Sequence, residues 1–395
     1  MPEPVKHFQS SMTGAPTLGD TTPGNFVELL KACLVNGFNV TAPTGLSYDA
    51  VNDEITATFG SAHGYDDLTV VRISGANEVE YNGDFRVIRS DATSIVYKPD
   101  VTPLNATATG TFQARLAPAG WSIADEDVAT FRAAFSKASG GTEFTLVVAN
   151  DQSYVASPGD RAWYARCDIA TDFQDIDSYE SLAQFYLPAS HQYSSRSEWT
   201  VLADPWMFHL GITYGVGSSK NWYCFGDINA LSASDLHTCI AHGGLRLTGG
   251  LGDWDLLSRA FYSQAPENNQ FSQRVIAGYH HGAPITGAWK TMGLCELTHG
   301  RACDFPNPSN QSFVLNKSPL LVVDDLGTYG TVRGFMPGQV EPLNWHDSLY
   351  GGIFQGMPGY EDSIIYCDEA TISPTQTIDP NMIAFQLANW REQWT

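Results

Sequence analysis

Between Phe59 and Tyr97 the chain reads FGSAHGYDDLTVVRISGANEVEYNGDFRVIRSDATSIVY, and this stretch leaves little choice of structure. Short runs rich in Val, Ile, Tyr and Phe (Leu68 to Ile73, Asp84 to Ile88, Ser94 to Tyr97) are separated by turn-forming residues at His63-Gly64, Ser74-Gly75-Ala76-Asn77 and Asn82-Gly83. That rhythm marks small antiparallel β-units. Asn82-Gly83 suits a turn with positive φ at both centres, because Asn tolerates the left-handed region and Gly has no Cβ to clash there. Phe85 and Val87 alternate with Arg86 and Ile88, which leaves one face of the unit apolar and the other partly wet.

The unit extends over residues 43–117 and closes with a second run, Gly110 to Leu116; Pro118 and Trp121 mark the return to a larger body, residues 118–395. Ahead of it, residues 1–42 divide into an extended arm, 1–24, rich in Pro, Gly, Ser and Thr, and a short helix. Asn25 is placed to cap that helix, Phe26, Leu29, Leu30 and Cys33 share a face, and Asn36-Gly37 is a stop signal. In the body, strand candidates recur at Ala129 to Phe135, Glu143 to Ala149, Ala162 to Ile169, Trp199 to Ala203, Trp206 to Tyr214, Asn221 to Phe225 and Leu320 to Val323. Short strands at this spacing predict a mainly β protein: a β-sandwich or barrel-like body with a small inserted β-module and one short N-terminal helix. Asn268 to Gln311, rich in Asn, Gln, His, Gly and Pro, reads as long surface loops.

Composition narrows the partners. Apolar residues at 43% and charged residues at 16% describe a folded chain, and its 395 residues are enough for two or three domains. A formal charge of −22 repels phosphates, so nucleic acid is rejected as a direct partner. No run is long enough to span a bilayer and no secretory signal is visible, so synthesis in a reducing cytoplasm is expected, with the seven scattered cysteines as buried thiols.

Several segments carry a resemblance. Ala62-His63-Gly64-Tyr65, Val71 to Ala76 and Tyr81 to Val87 resemble a small β-module that recurs in structural proteins of tailed bacteriophage particles. His7 to Met12 with Gly14-Ala15-Pro16, Leu30 to Phe38, Leu116 to Trp121 and Phe225 to Ile228 extend the likeness to a family of virion structural proteins of about this length. It is good to about residue 245. Beyond that only Arg333 to Gly338, Glu341 to Leu343 and Phe385 to Trp390 carry it.

The resemblance implies a non-enzymatic virion protein, most readily of the tail (tube exterior, baseplate or tip), with the neck or head surface as the alternative position. Its partners are then copies of itself, threefold or sixfold by analogy, and other particle proteins. The expected interface anchors are aromatic: Phe8, Phe26, Trp121, Trp390 and Trp394.

No catalytic, cofactor or metal residue is assigned. His237-Thr-Cys239-Ile-Ala-His242 and Cys295 to Cys303 contain zinc-type ligands without the paired spacing of a tetrahedral site, and His280-His281 reads as a loop pair. Gly215 to Asn221 lacks the GKS or GKT ending of a phosphate loop. The rival class is a receptor- or glycan-binding tip protein, possibly glycan-degrading. Its raw material is acidic residues beside aromatics at Asp253-Trp254-Asp255 and Trp345-His346-Asp347.

Overall fold

The computed structural model describes residues 4–19, 23–150, 164–189, 197–213, 220–232, 238–242, 275–276, 294–295, 315–316, 321–324, 331–342, 351–357, 360–370, 381–387 and 390–391. The protein is mainly β, built from largely antiparallel sheets, with one short helical segment, residues 25–36, as the longest helix among the described residues. Among the described residues, no helix is long and apolar enough to cross a membrane.

The N-terminal segment is not a free arm. Lys6–Gln9 (β1) is a strand at the edge of the chain's own largest sheet, and Pro16 and Leu18 are tied to it through the Trp199 indole and a bridge to Ser197. Asn25–Leu30 (α1) then buries Phe26, Val27, Leu29 and Leu30 and widens into a π-turn, Lys31–Asn36. The stop is at Gly37, as the sequence predicts: its φ is 71°, and a Cβ there would lie 2.2 Å from the Leu116 carbonyl. The cap is not Asn25, which is the first helical residue. Asn150, 124 positions away, supplies it, its Oδ1 accepting from the Phe26 N–H at 3.2 Å.

The β-module begins earlier than the sequence boundary at 43. Its strands are Phe38–Thr41 (β2), Pro43–Asp49 (β3), Glu54–Phe59 (β4), Val70–Ala76 (β5), Gly83–Ser90 (β6), Ser94–Tyr97 (β7) and Gly110–Leu116 (β8), in the order β2-β8-β5-β6-β7-β4-β3. The sheet closes on itself. Tyr48 N–H donates to Ala106 O at 2.8 Å and Ala108 N–H to Leu46 O at 3.1 Å, joining β3 to the segment that leads into β8. Closure pairs the free edge that β3 would present in an open sheet, while β2 remains a short flanking strand on β8.

One turn differs from its sequence reading. Asn82 is extended (φ −97°, ψ 132°), not left-handed, and residues 77–82 bridge β5 and β6 through a 3-10 turn, Val79–Tyr81. The Asn82 amide instead imitates a strand residue: it accepts from Ala76 N–H at 3.0 Å and donates to Ala76 O at 2.9 Å.

Among the described residues of the body, two sheets pack against each other. Ser122–Asp127 (β9), Arg132–Ser136 (β10), Thr145–Ala149 (β11), Tyr164–Asp175 (β12) and Ser178–Pro188 (β13) form a meander of five strands. Trp199–Ala203 (β14), Met207–Thr213 (β15) and Lys220–Asp227 (β16) join β1 in the large sheet, which continues through Tyr360–Ala370, Asn381–Gln386 and Gln339–Pro342. Its middle strands read as near-continuous apolar runs because both faces are buried. Val201, Phe208, Leu210 and Phe225 meet Leu146, Val148 and Phe185 of the meander on one face, while Leu202, Met207, Trp222 and Cys224 lie on the other with Tyr366, Phe385 and Trp390. Lys137 rivets the layers. Its ammonium sits 2.9 Å from Asp227 Oδ1 and 2.5 Å from Thr142 Oγ1.

One buried guanidinium fastens the barrel to the body. Arg86 keeps some exposed surface, but its guanidinium is enclosed, and burial pushes its pKa down to about 10. It donates to Leu68 O (2.8 Å), Val5 O (3.0 Å) and Leu387 O (2.9 Å), joining the barrel to the residues that flank β1 and Asn381–Gln386.

His7, on β1, is 3% exposed; its ring lies 5.0 Å from that of Tyr366, and neither nitrogen has a hydrogen-bond partner among the described residues. Burial first, then the charges of Lys220 and Arg86, pull its pKa from 6.5 down to about 3. The folded His7 therefore stays neutral between those values while the unfolded one takes up a proton. Above pH 6.5 the two states bind alike, and below it stability falls until the folded pKa is reached. Between pH 7 and pH 5 the loss is about 2 kcal/mol. Urea midpoints at the two pH values, compared for the protein and for His7→Leu, check this; an equal acid loss in both removes His7 as its source.

Candidate interaction surface

The antiparallel order of the barrel decides which loops gather. With β3, β7 and β5 running one way and β4, β6 and β8 the other, residues 50–53, 77–82 and 98–109 all emerge at the same end. Each carries apolar side chains into solvent: Val51 is 91% exposed, Val79 75%, Val101 64% and Leu104 91%. We refer to this end as the crown.

Its loops are braced. Tyr81 Oη donates to Asn105 O at 2.6 Å, Asn77 N–H to Thr109 O at 2.8 Å, and Tyr48 Oη to Asp53 Oδ1 at 2.8 Å. Carboxylates hold the turns themselves. Asp49 accepts from Val51 N–H at 2.8 Å and from the Asn52 amide, and Glu78 from Thr109 N–H at 2.7 Å; these hydrogen bonds keep both acids below the usual carboxylate range. The crown is thus apolar at its tips, ionised around them, and fixed in shape by the strands beneath.

A groove of about 810 Å³ opens beside it, between β6 and the strands Gly352–Met357 and Tyr360–Ala370. Arg72 and Asp84 line it but are bound to each other at 2.6 and 3.0 Å. Its one aromatic, Phe85, is 3% exposed and offers no face on which a sugar ring could stack.

The residues expected as anchors lie elsewhere. Phe8 (1% exposed), Phe26 (0%), Trp121 (4%) and Trp390 (1%) are packed inside the chain's own core. Trp121 Nε1 is bonded to Asp204 O at 2.9 Å and Trp390 Nε1 to Gln386 O at 2.5 Å. Their apolar area is already withdrawn from water, so in this fold they have none to give a partner. Trp394 lies outside the described residues, as do Asp253 to Asp255, Trp345 to Asp347, Gly215 to Gly217 and His280-His281. Of the 268–311 loops, only Val275–Ile276 and Leu294–Cys295 are described, both as short strands.

Of the zinc-type residues, Cys239 is buried 3.5 Å from Lys137 Nζ, and burial pushes its thiol up to about 12, which leaves it protonated and unreactive. Cys33, Cys167, Cys224 and Cys367 are likewise buried and unbridged. Among the described residues no three His, Cys, Asp or Glu side chains are grouped to hold a metal ion.

Sequence reasoning missed the crown. Its signal was present as apolar residues isolated within turn-forming segments: Val51 in DAVND, Val79 in NEVEY, and Val101 and Leu104 in PDVTPLN. No protein-family model matches the chain, and no curated protein matches it in sequence.

Proposed function

We propose that this is a non-enzymatic structural protein of a tailed-bacteriophage particle, associated with the tail, that works by docking onto other particle proteins. The resemblance of the barrel sequence to phage β-modules supplies the context. The crown is the observation that carries the reading: apolar side chains 64 to 91% exposed on loops braced to a closed barrel. Water-exposed apolar groups gathered at one end of a folded module mark a contact surface, and a rigid one loses little conformational freedom on binding. Docking here is association without bond making, and its strength rests on the few side chains that become fully buried.

The test is to locate the chain in purified particles by mass spectrometry and a cryo-EM map. A fixed number of copies with the crown covered by a neighbour is the expected result. Absence from the particle, or a few copies at a tail tip with the crown facing outward, overturns the structural reading; the second outcome favours receptor or glycan contact.

A further inference from the structure

The crown's charge pattern specifies the partner. The loop segments 49–53, 77–82 and 98–109 that carry Val51, Val79, Val101 and Leu104 also carry Asp49, Asp53, Glu78, Glu80 and Asp100 against one base, Lys98; the nearby Arg72 and Arg89 are ion-paired with Asp84 and Glu54. Asp49 and Glu78 stay ionised through their turn hydrogen bonds, so this negative rim is built into the loops. Two crowns facing each other would set carboxylates against carboxylates. Any other face of a second copy belongs to a chain of net charge −22. Like charges brought together at an interface cost several kcal/mol and slow the encounter.

We propose that the crown docks onto a different protein whose surface has an apolar centre inside a cationic rim. This rests on the reading of the chain as a particle component. The apolar centres supply the affinity on burial, and the rims set orientation and rate, as complementary charge does. The rim also disfavours anionic lipid and nucleic acid as occupants, since both present phosphates.

The test uses intact particles and a zero-length reagent that condenses carboxylates with amines. Asp49, Asp53, Glu80 and Asp100 are expected to join lysines of one other protein, at least tenfold more often than lysines of another copy of this chain. Crosslinks mainly between copies overturn the proposal. So does finding no crown crosslink while Asp172, Asp175 or Asp177, exposed elsewhere on the chain, react with neighbours. The chain's absence from the particle is a different failure, visible before crosslinking, and sinks the functional reading itself.

Discussion

Particles assembled with Val51→Ser and Leu104→Ser together are expected to carry far less of this protein than particles assembled with the native chain. Both side chains are 91% exposed, so the substitutions remove no internal packing and should leave the melting temperature within about a degree. Burying a Val or Leu side chain contributes about 1.5–3 kcal/mol, so a covered crown loses about 3–6 kcal/mol in the double variant. That is a factor of ~10² to 10⁴ in the docking constant. Quantitative mass spectrometry of purified particles reads the loss, and Val128→Ser is the control. Val128 is also exposed, at 69%, but stands on the turn between β9 and β10. Normal incorporation of the double variant would falsify the crown as the docking surface.

Arg86→Met is expected to have the largest effect on stability. Met fills much of the same volume but donates nothing, so the carbonyls of Leu68, Val5 and Leu387 each lose a charge-assisted bond. Relief of the guanidinium's own desolvation offsets part of this, and the net loss is about 3–5 kcal/mol. Arg86→Lys should fall between the two, because an ammonium's three donors leave a single atom and cannot span acceptors that the guanidinium reaches from two separate nitrogens. Urea denaturation measures the size of the change. Limited proteolysis shows where it acts, with new cuts expected near Val5 and Leu387. A change under about 1 kcal/mol would mean that packing alone holds the barrel to the body.

Much of the fold was legible because its strands announce themselves locally. Ser94–Tyr97, Gly110–Leu116 and Trp199–Ala203 form at the residues the sequence predicts, bounded by turn-forming neighbours. Phe26, Leu29, Leu30 and Cys33 share the buried face of the helix as their spacing requires. Readings that depended on distant partners fared worse. Asn82 carries the composition of a tight turn, but its position beside Ala76 made its side chain, not its φ, the useful part. Asn25 looked like a cap until Asn150, from beyond β11, filled that role.

Four of the five expected anchors, Phe8, Phe26, Trp121 and Trp390, lie in the chain's own core for a more general reason. Phe8 and Trp390 have the composition of interface residues, but a side chain buried within one chain and one buried between two present the same pattern in sequence. The crown escaped for the opposite cause. One valine or leucine in a turn is unremarked until the strand order puts three such turns side by side.

Arg86 also sets a timetable. It is synthesised 301 residues before Leu387, and at ~5–20 residues per second that interval is about 15–60 s. Strands β2 to β8 are contiguous in sequence and end at Leu116, soon after Arg86, so the barrel's own pairings are all available early in that interval. The segment that completes the guanidinium's third bond emerges only when that interval is over. A nascent chain thus owns its crown well before it owns its clasp, and a product truncated ahead of Leu387 would present the same exposed loops on an unfinished body.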